Sequence, residues 1–117
     1  LDRSDREKLT GEITNRLKTI DYTFTTNKFD SALLFLKAEL GWKKQPYYKR
    51  LNVSKSSQQD KISDSTILKI KEMNWLDEIL FNKVAEIEEK YLNNVSENEL
   101  VTFQRRNVSL INRIFVR

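Results

Sequence analysis

Apolar and polar positions change their period once, sharply, between Tyr22 and Trp42. Tyr22-Thr23-Phe24-Thr25-Thr26 alternates aromatic with β-branched residues at period two, which predicts a short strand over 22–26. From Phe29 the period becomes helical. Phe29, Ala32, Leu33, Leu36 and Leu40 recur at threes and fours, and Leu34, Phe35 and Ala38 widen the apolar arc. The spacing predicts a helix over 28–40, apolar on most sides and central to the fold, with Gly41 as its C-cap. A strand running straight into a buried helix is half of a βαβ unit, and no second strand is predicted to pair with it. The pattern therefore implies one part of a larger sheet-containing fold.

The other elements read as helices. Ser4-Asp5-Arg6-Glu7 has capping-box spacing and opens a surface helix over 4–19, with Leu9, Ile13 and Leu17 as a narrow stripe. Ser63 caps a long helix over 63–92, with Asp64 in its first turn. Met73, Leu76, Leu80, Val84, Ile87 and Tyr91 step along one face of it, and Asn93-Asn94 ends it. Ser96-Glu97-Asn98-Glu99 is a second capping box and opens a last helix over 97–114, with Leu100, Phe103, Leu110, Ile111, Ile114 and Phe115 mostly inward. These last two helices suit a helical hairpin. Residues 43–62 read as a loop, because Pro46 and a Ser/Gln/Asp/Lys cluster resist regular structure. A loop of that length in a compact domain is usually functional or disordered. No internal repeat and no clear domain boundary is visible. The expectation is a single partial domain over 1–117, mostly α with one short strand at about 22–26.

Composition narrows the chemistry. At 117 residues the chain is one domain or less, and two glycines and one proline favour helices over turns. There is no cysteine and no histidine, which excludes disulfides, Cys/His zinc sites, cysteine nucleophiles and Ser-His-Asp triads within this chain. With only Gly11 and Gly41 there is no glycine-rich phosphate loop. No apolar run approaches the ~20 residues that span a bilayer, and no signal peptide is visible. The chain begins at Leu1, which fits a fragment or a processed product.

The net charge of +4 and a pI near 9.3 suit an anionic partner, and equally suit a chain that has none. The charge gathers in the 43–62 loop. Lys43, Lys44, Lys49, Arg50, Lys55 and Lys61 stand there against Asp60, interleaved with Tyr47 and Tyr48. Cations with Ser hydroxyls and free backbone amides are what a phosphate or sulfate requires; a merely solvated loop has the same composition. Tyrosines among cations also suit stacking on bases, but no nucleic-acid motif accompanies them. Asp77 with Glu78 and Glu86 with Glu89 lie on lysine-rich helices and read as solvated faces. Three Asn-Val-Ser tripeptides, at Asn52, Asn94 and Asn107, suggest the secretory pathway or arise by chance in an Asn- and Ser-rich chain.

The run TNKFDSALLFLKAELGW, Thr26 to Trp42, resembles the strand-to-helix segment of the carbohydrate sulfotransferases, in particular their galactose-3-O-sulfotransferase group. Thr26, Phe29, Asp30, Leu33, Leu36, Lys37, Leu40 and Trp42 fall in register with it. Leu51-Asn52-Val53-Ser54 is similar to the Leu-Asn that opens the family's loop. Ile70 to Leu92 resembles its Asn-Asp-Leu-Tyr helix, matched here by Asn74, Asp77, Leu80 and Phe81. The likeness spans residues 20 to 92. Asn27 and Ala32 depart from it, standing where the family has Glu and Ser.

The resemblance implies the C-terminal fragment of a P-loop-like α/β sulfotransferase fold. Its donor would be 3′-phosphoadenosine 5′-phosphosulfate, and its acceptor a hydroxyl of a sugar, glycolipid or glycoprotein. It implies that the phosphosulfate loop and the catalytic base lie upstream, so this chain holds no catalytic residue and is inactive alone. It places the 50–61 loop against the donor near its 3′-phosphate, with Arg50, Ser54, Lys55, Ser56, Ser57 and Lys61 as donor-binding residues. It implies no metal and no nucleic acid. For a protein like the animal members it implies the Golgi lumen, with a membrane anchor upstream. The alternative is a small helical protein-interaction module that packs its 73–91 stripe on a partner.

Overall fold

The computed structural model describes residues 2–51 and 61–115. Among these residues the chain is mostly helical: α1 Arg3–Leu17, α2 Phe29–Leu40, α3 Asp64–Met73, α4 Trp75–Leu92 and α5 Glu97–Phe115, with a 3₁₀ turn at Thr26–Lys28 ahead of α2. They divide into two compact units. One holds 2–25 and 61–88, the other 26–51 and 89–115. The division falls inside α4, after Glu88.

In the first unit Asp2, not Ser4, caps α1: its side chain accepts the Asp5 N–H at 2.9 Å. No residue of α1 is buried, as its narrow apolar stripe implies. The expected strand at 22–26 does not form. Residues 22–25 belong to no regular element and make no ladder, and Thr26 already belongs to the 3₁₀ turn. Alternation at period two specifies an extended backbone, whereas a strand also needs a neighbour to take its N–H and C=O groups. Among the described residues no strand is available, and a carboxylate takes that role. The Thr25 N–H donates to Glu88 Oε2 at 2.7 Å, and the Thr25 hydroxyl donates to Oε1 at 2.8 Å. Both residues are buried, Thr25 at 7% and Glu88 at 4% exposure. A buried carboxylate is tolerable when its oxygens are hydrogen-bonded in this way.

The single helix expected over 63–92 is two helices. Ser63 caps α3 as expected, accepting the Thr66 N–H. Asn74 then breaks the run. Its backbone N–H and its side-chain Nδ2 both donate to the Ile70 carbonyl, at 3.0 and 2.9 Å, while its own carbonyl accepts the Glu78 N–H at 3.1 Å. Asn competes for backbone groups with its side chain, so one residue ends α3 and starts α4. The break puts Met73, first residue of the expected stripe, at 83% exposure, with Ile67, Leu68 and Ile70 also exposed. Arg6 of α1 stacks its guanidinium over the Trp75 ring, 4.9 Å from the centroid.

In the second unit α2 packs against α5. Its centre is Ala32 and Phe103, both under 5% exposed. Gly41 ends α2 in the left-handed conformation, φ 67°, and the Trp42 N–H bonds back to the Lys37 carbonyl at 3.0 Å. Ser96 caps α5 by accepting the Glu99 N–H at 3.1 Å, as its capping-box spacing predicts.

Glu88→Ala leaves the Thr25 N–H and hydroxyl buried without partners. We expect it to cost about 3 kcal/mol, read as a lower urea midpoint. Glu7→Ala removes only an exposed contact to Arg3 and should leave that midpoint within error.

Candidate functional site

The start of α2 and the first part of the predicted loop form one site. After the Gly41 turn the chain runs back until Tyr48 meets Phe29 edge-on, with ring centroids 4.9 Å apart. Tyr47 lies parallel to Phe103 at 5.8 Å, and Tyr48 stacks on the same ring at 6.4 Å. The Tyr48 backbone is held at both ends of one side-chain amide. Its N–H donates to Asn107 Oδ1 at 2.8 Å, and its carbonyl accepts from Asn107 Nδ2 at 3.0 Å. The Tyr48 hydroxyl donates to Asp30 Oδ1, and Gln104 Nε2 donates to the other Asp30 oxygen at 2.9 Å.

This arrangement alters the acidity of Tyr48. Burial of the ring, then the hydrogen bond and the negative charge of Asp30, push its pKa from 10.0 up to about 12, partly offset by Arg50.

Around this node lies a cleft of about 480 Å³. Thr26, Asn27, Lys28 and Ser31 form one side, and Arg50 and Gln104 contribute to the rest. No side chain caps the start of α2, and Asp30 is the acidic residue of its first turn. Lys28 and Arg50 are exposed cations, and the one carboxylate of the lining, Asp30, has both oxygens engaged by Tyr48 and Gln104. Two cations beside a helix N-terminus are equipped to hold a phosphate or sulfate.

The chain matches no protein-family model, no curated protein and no solved structure.

A second cleft of the same unit, about 710 Å³, lies between the end of α2 and the start of α5. It presents the ring of Trp42, 40% exposed, beside Tyr47, Gln45 and Thr102, with Lys37 and Arg106 in its lining. An aromatic surface with a few polar groups around it is a common form of small-molecule site. Among the described residues no cluster of acidic side chains is arranged to hold a metal ion, and no helix is long and apolar enough to cross a membrane.

Of the six donor-binding residues expected from the resemblance, Arg50 is brought into the first cleft, beside the residues that begin α2. Lys61 is exposed in the other unit, two residues ahead of the Ser63 cap. Ser54, Lys55, Ser56 and Ser57 lie outside the described residues. Two residues that build the node carry no signal of that role in the sequence: Asn107 reads as part of an Asn-Val-Ser tripeptide, and Gln104 belongs to no motif. The signal that was present is Tyr47-Tyr48, an aromatic pair in an otherwise polar loop. It marks a place where the loop returns to the apolar core, and both residues are half-buried. Stacking of these tyrosines on Phe103 also gives them an occupation other than nucleic-acid bases.

The Tyr48 hydroxyl holds its proton more tightly in the folded state, so its stabilising effect is fully present below pH 10.0. It is lost as pH rises from 10.0 to about 12. In an ultraviolet titration of the folded protein, one tyrosine should ionise near pH 12, and Tyr48→Phe should remove that step while keeping the ring contacts.

Proposed function

We propose that this chain is the C-terminal segment of a carbohydrate sulfotransferase, which binds 3′-phosphoadenosine 5′-phosphosulfate through the start of α2 and the loop that begins at Arg50. One observation carries this reading. Thr26, Phe29 and Asp30, which resemble the family's strand-to-helix block, line the same cleft as Arg50, which the resemblance separately assigns to donor binding. Two stretches about twenty residues apart in sequence, read from different blocks of the likeness, meet at one site with the chemistry of a phosphate.

Each group then has a role. Lys28 supplies a point charge, Arg50 a planar fork that takes two phosphate oxygens at once, and the N-terminus of α2 a partial positive charge. Asp30 holds Tyr48 and Gln104, so it shapes the cleft and need not touch the donor. The two departures from the family pattern fall differently. Ala32 is buried at 4% exposure and fills the core, where a serine would bury a hydroxyl. Asn27 is exposed in the cleft itself. The donor, when bound, supplies the sulfuryl group; the base that activates the acceptor belongs to another part of such an enzyme. The Trp42 cleft suits the apolar face of an acceptor sugar.

A second reading, a helical protein-interaction module, is favoured by α3, whose Ile67, Leu68, Ile70 and Met73 are all exposed. The two readings part on nucleotide binding. Calorimetric titration with 3′-phosphoadenosine 5′-phosphate, on the polypeptide that carries this chain together with its phosphosulfate loop, should give saturable binding. Arg50→Ala should weaken that binding about tenfold or more, as a hydrogen bond to a charged group is worth about 1.5–3 kcal/mol. Unchanged affinity in a Lys28→Ala, Arg50→Ala double variant would overturn the site. Sulfate transfer by the 117-residue chain alone would contradict the assignment of the base to another part of the enzyme.

A further inference from the structure

The three Asn-Val-Ser tripeptides are chemically identical, and the fold treats them differently. Asn52 lies outside the described residues. Asn94 lies in the turn between α4 and α5, where it is exposed and its side chain makes no hydrogen bond among the described residues. The turn is fixed by backbone bonds on either side of it. The Asn93 N–H donates to the Glu89 carbonyl at 3.3 Å, and the Val95 N–H donates to the Leu92 carbonyl at 3.0 Å. Neither bond uses the Asn94 amide. Ser96, the hydroxyl residue of this tripeptide, caps α5 with a lone pair of its Oγ. A group attached to Asn94 Nδ2 therefore leaves the turn and the cap intact and projects into solvent.

Asn107 is the opposite case. It lies inside α5, half-buried, with Oδ1 and Nδ2 both engaged by the Tyr48 backbone at 2.8 and 3.0 Å. A sugar on Nδ2 would crowd the amide that clamps Tyr48. The regular helix also gives the tripeptide no turn in which to present its amide.

We infer that Asn94 is an N-glycosylation site and that Asn107, in the same tripeptide, is not. The inference rests on the proposed sulfotransferase reading only for the compartment, a secretory lumen. The co-reactant is an oligosaccharide linked to a lipid pyrophosphate. Asn94 Nδ2 forms a bond to C1 of its reducing-end sugar, and the C1–O bond to the pyrophosphate breaks. The lipid pyrophosphate leaves with the electron pair, and the amide loses one proton. Nothing is oxidised or reduced.

The test directs the whole chain, carrying Asn52→Gln, through the secretory pathway of cultured animal cells behind a cleavable signal. Total product is treated with peptide N-glycosidase in heavy-oxygen water, which marks each formerly glycosylated Asn as labelled Asp for peptide mass mapping. Label at Asn94 and none at Asn107 is the expected result. On a gel, deglycosylation should give one downward shift, lost in Asn94→Gln and kept in Ser109→Ala. That last change destroys the Asn107 tripeptide but leaves the Asn107 amide on Tyr48. Label at Asn107, or an unlabelled Asn94, overturns the inference. Nucleotide binding is measured independently, so a failure here and a failure of the sulfotransferase reading are distinguishable.

Discussion

The second unit depends on one side-chain amide. Asn107 offers an acceptor and a donor to the N–H and C=O of Tyr48, which is what a neighbouring strand would offer to one residue of a ladder. Residues 43–51 have no regular structure, and the backbone of Tyr48 finds both of its partners on the Asn107 side chain. With Tyr48 pinned, its ring reaches Phe29 and Phe103, its hydroxyl reaches Asp30, and Arg50 follows two residues later at the edge of the cleft. The position of that cation relative to α2 is thus inherited from a contact it does not make.

The helices were legible because their signals are local and redundant: apolar spacing, the Ser63 and Ser96 caps, and the Gly41 stop agree with one another. The alternation at 22–26 describes only half of what a strand is. Alternation shows which way side chains point; it does not supply a partner, and Glu88 took the Thr25 donors instead. The break at Asn74 is hidden from periodicity for a related reason. The apolar stripe runs through it unbroken, and the residue that interrupts the helix does so by capturing Ile70's carbonyl with a side chain, which periodicity does not register.

The site was legible in kind and not in arrangement. Counting cations in residues 43–62 located positive charge, and one of those cations, Arg50, lines the cleft. What turns a charged loop into a shaped cleft is the set of contacts Tyr48–Asn107, Tyr48–Asp30 and Asp30–Gln104, each across a wide gap in sequence. None has a spacing rule, so none is visible until the chain is folded. Ala32 shows the converse. It stands where the resembled pattern has Ser, and its burial at 4% exposure makes the position a matter of packing.

The ties that close the two units also set the order in which the chain can finish folding. Thr25 waits for Glu88, and Tyr48 waits for Asn107, separations of 63 and 59 residues. The first unit is interrupted by part of the second, so its early half emerges from the ribosome well before the partner that completes it. The segments of α1 and α2 are therefore made well before the residues that complete their contacts. Loop-closure entropy is met at the end and not along the way. For a chain whose centre in one unit is Ala32 and Phe103, that interval is when its exposed leucines and phenylalanines are most open to the wrong neighbours.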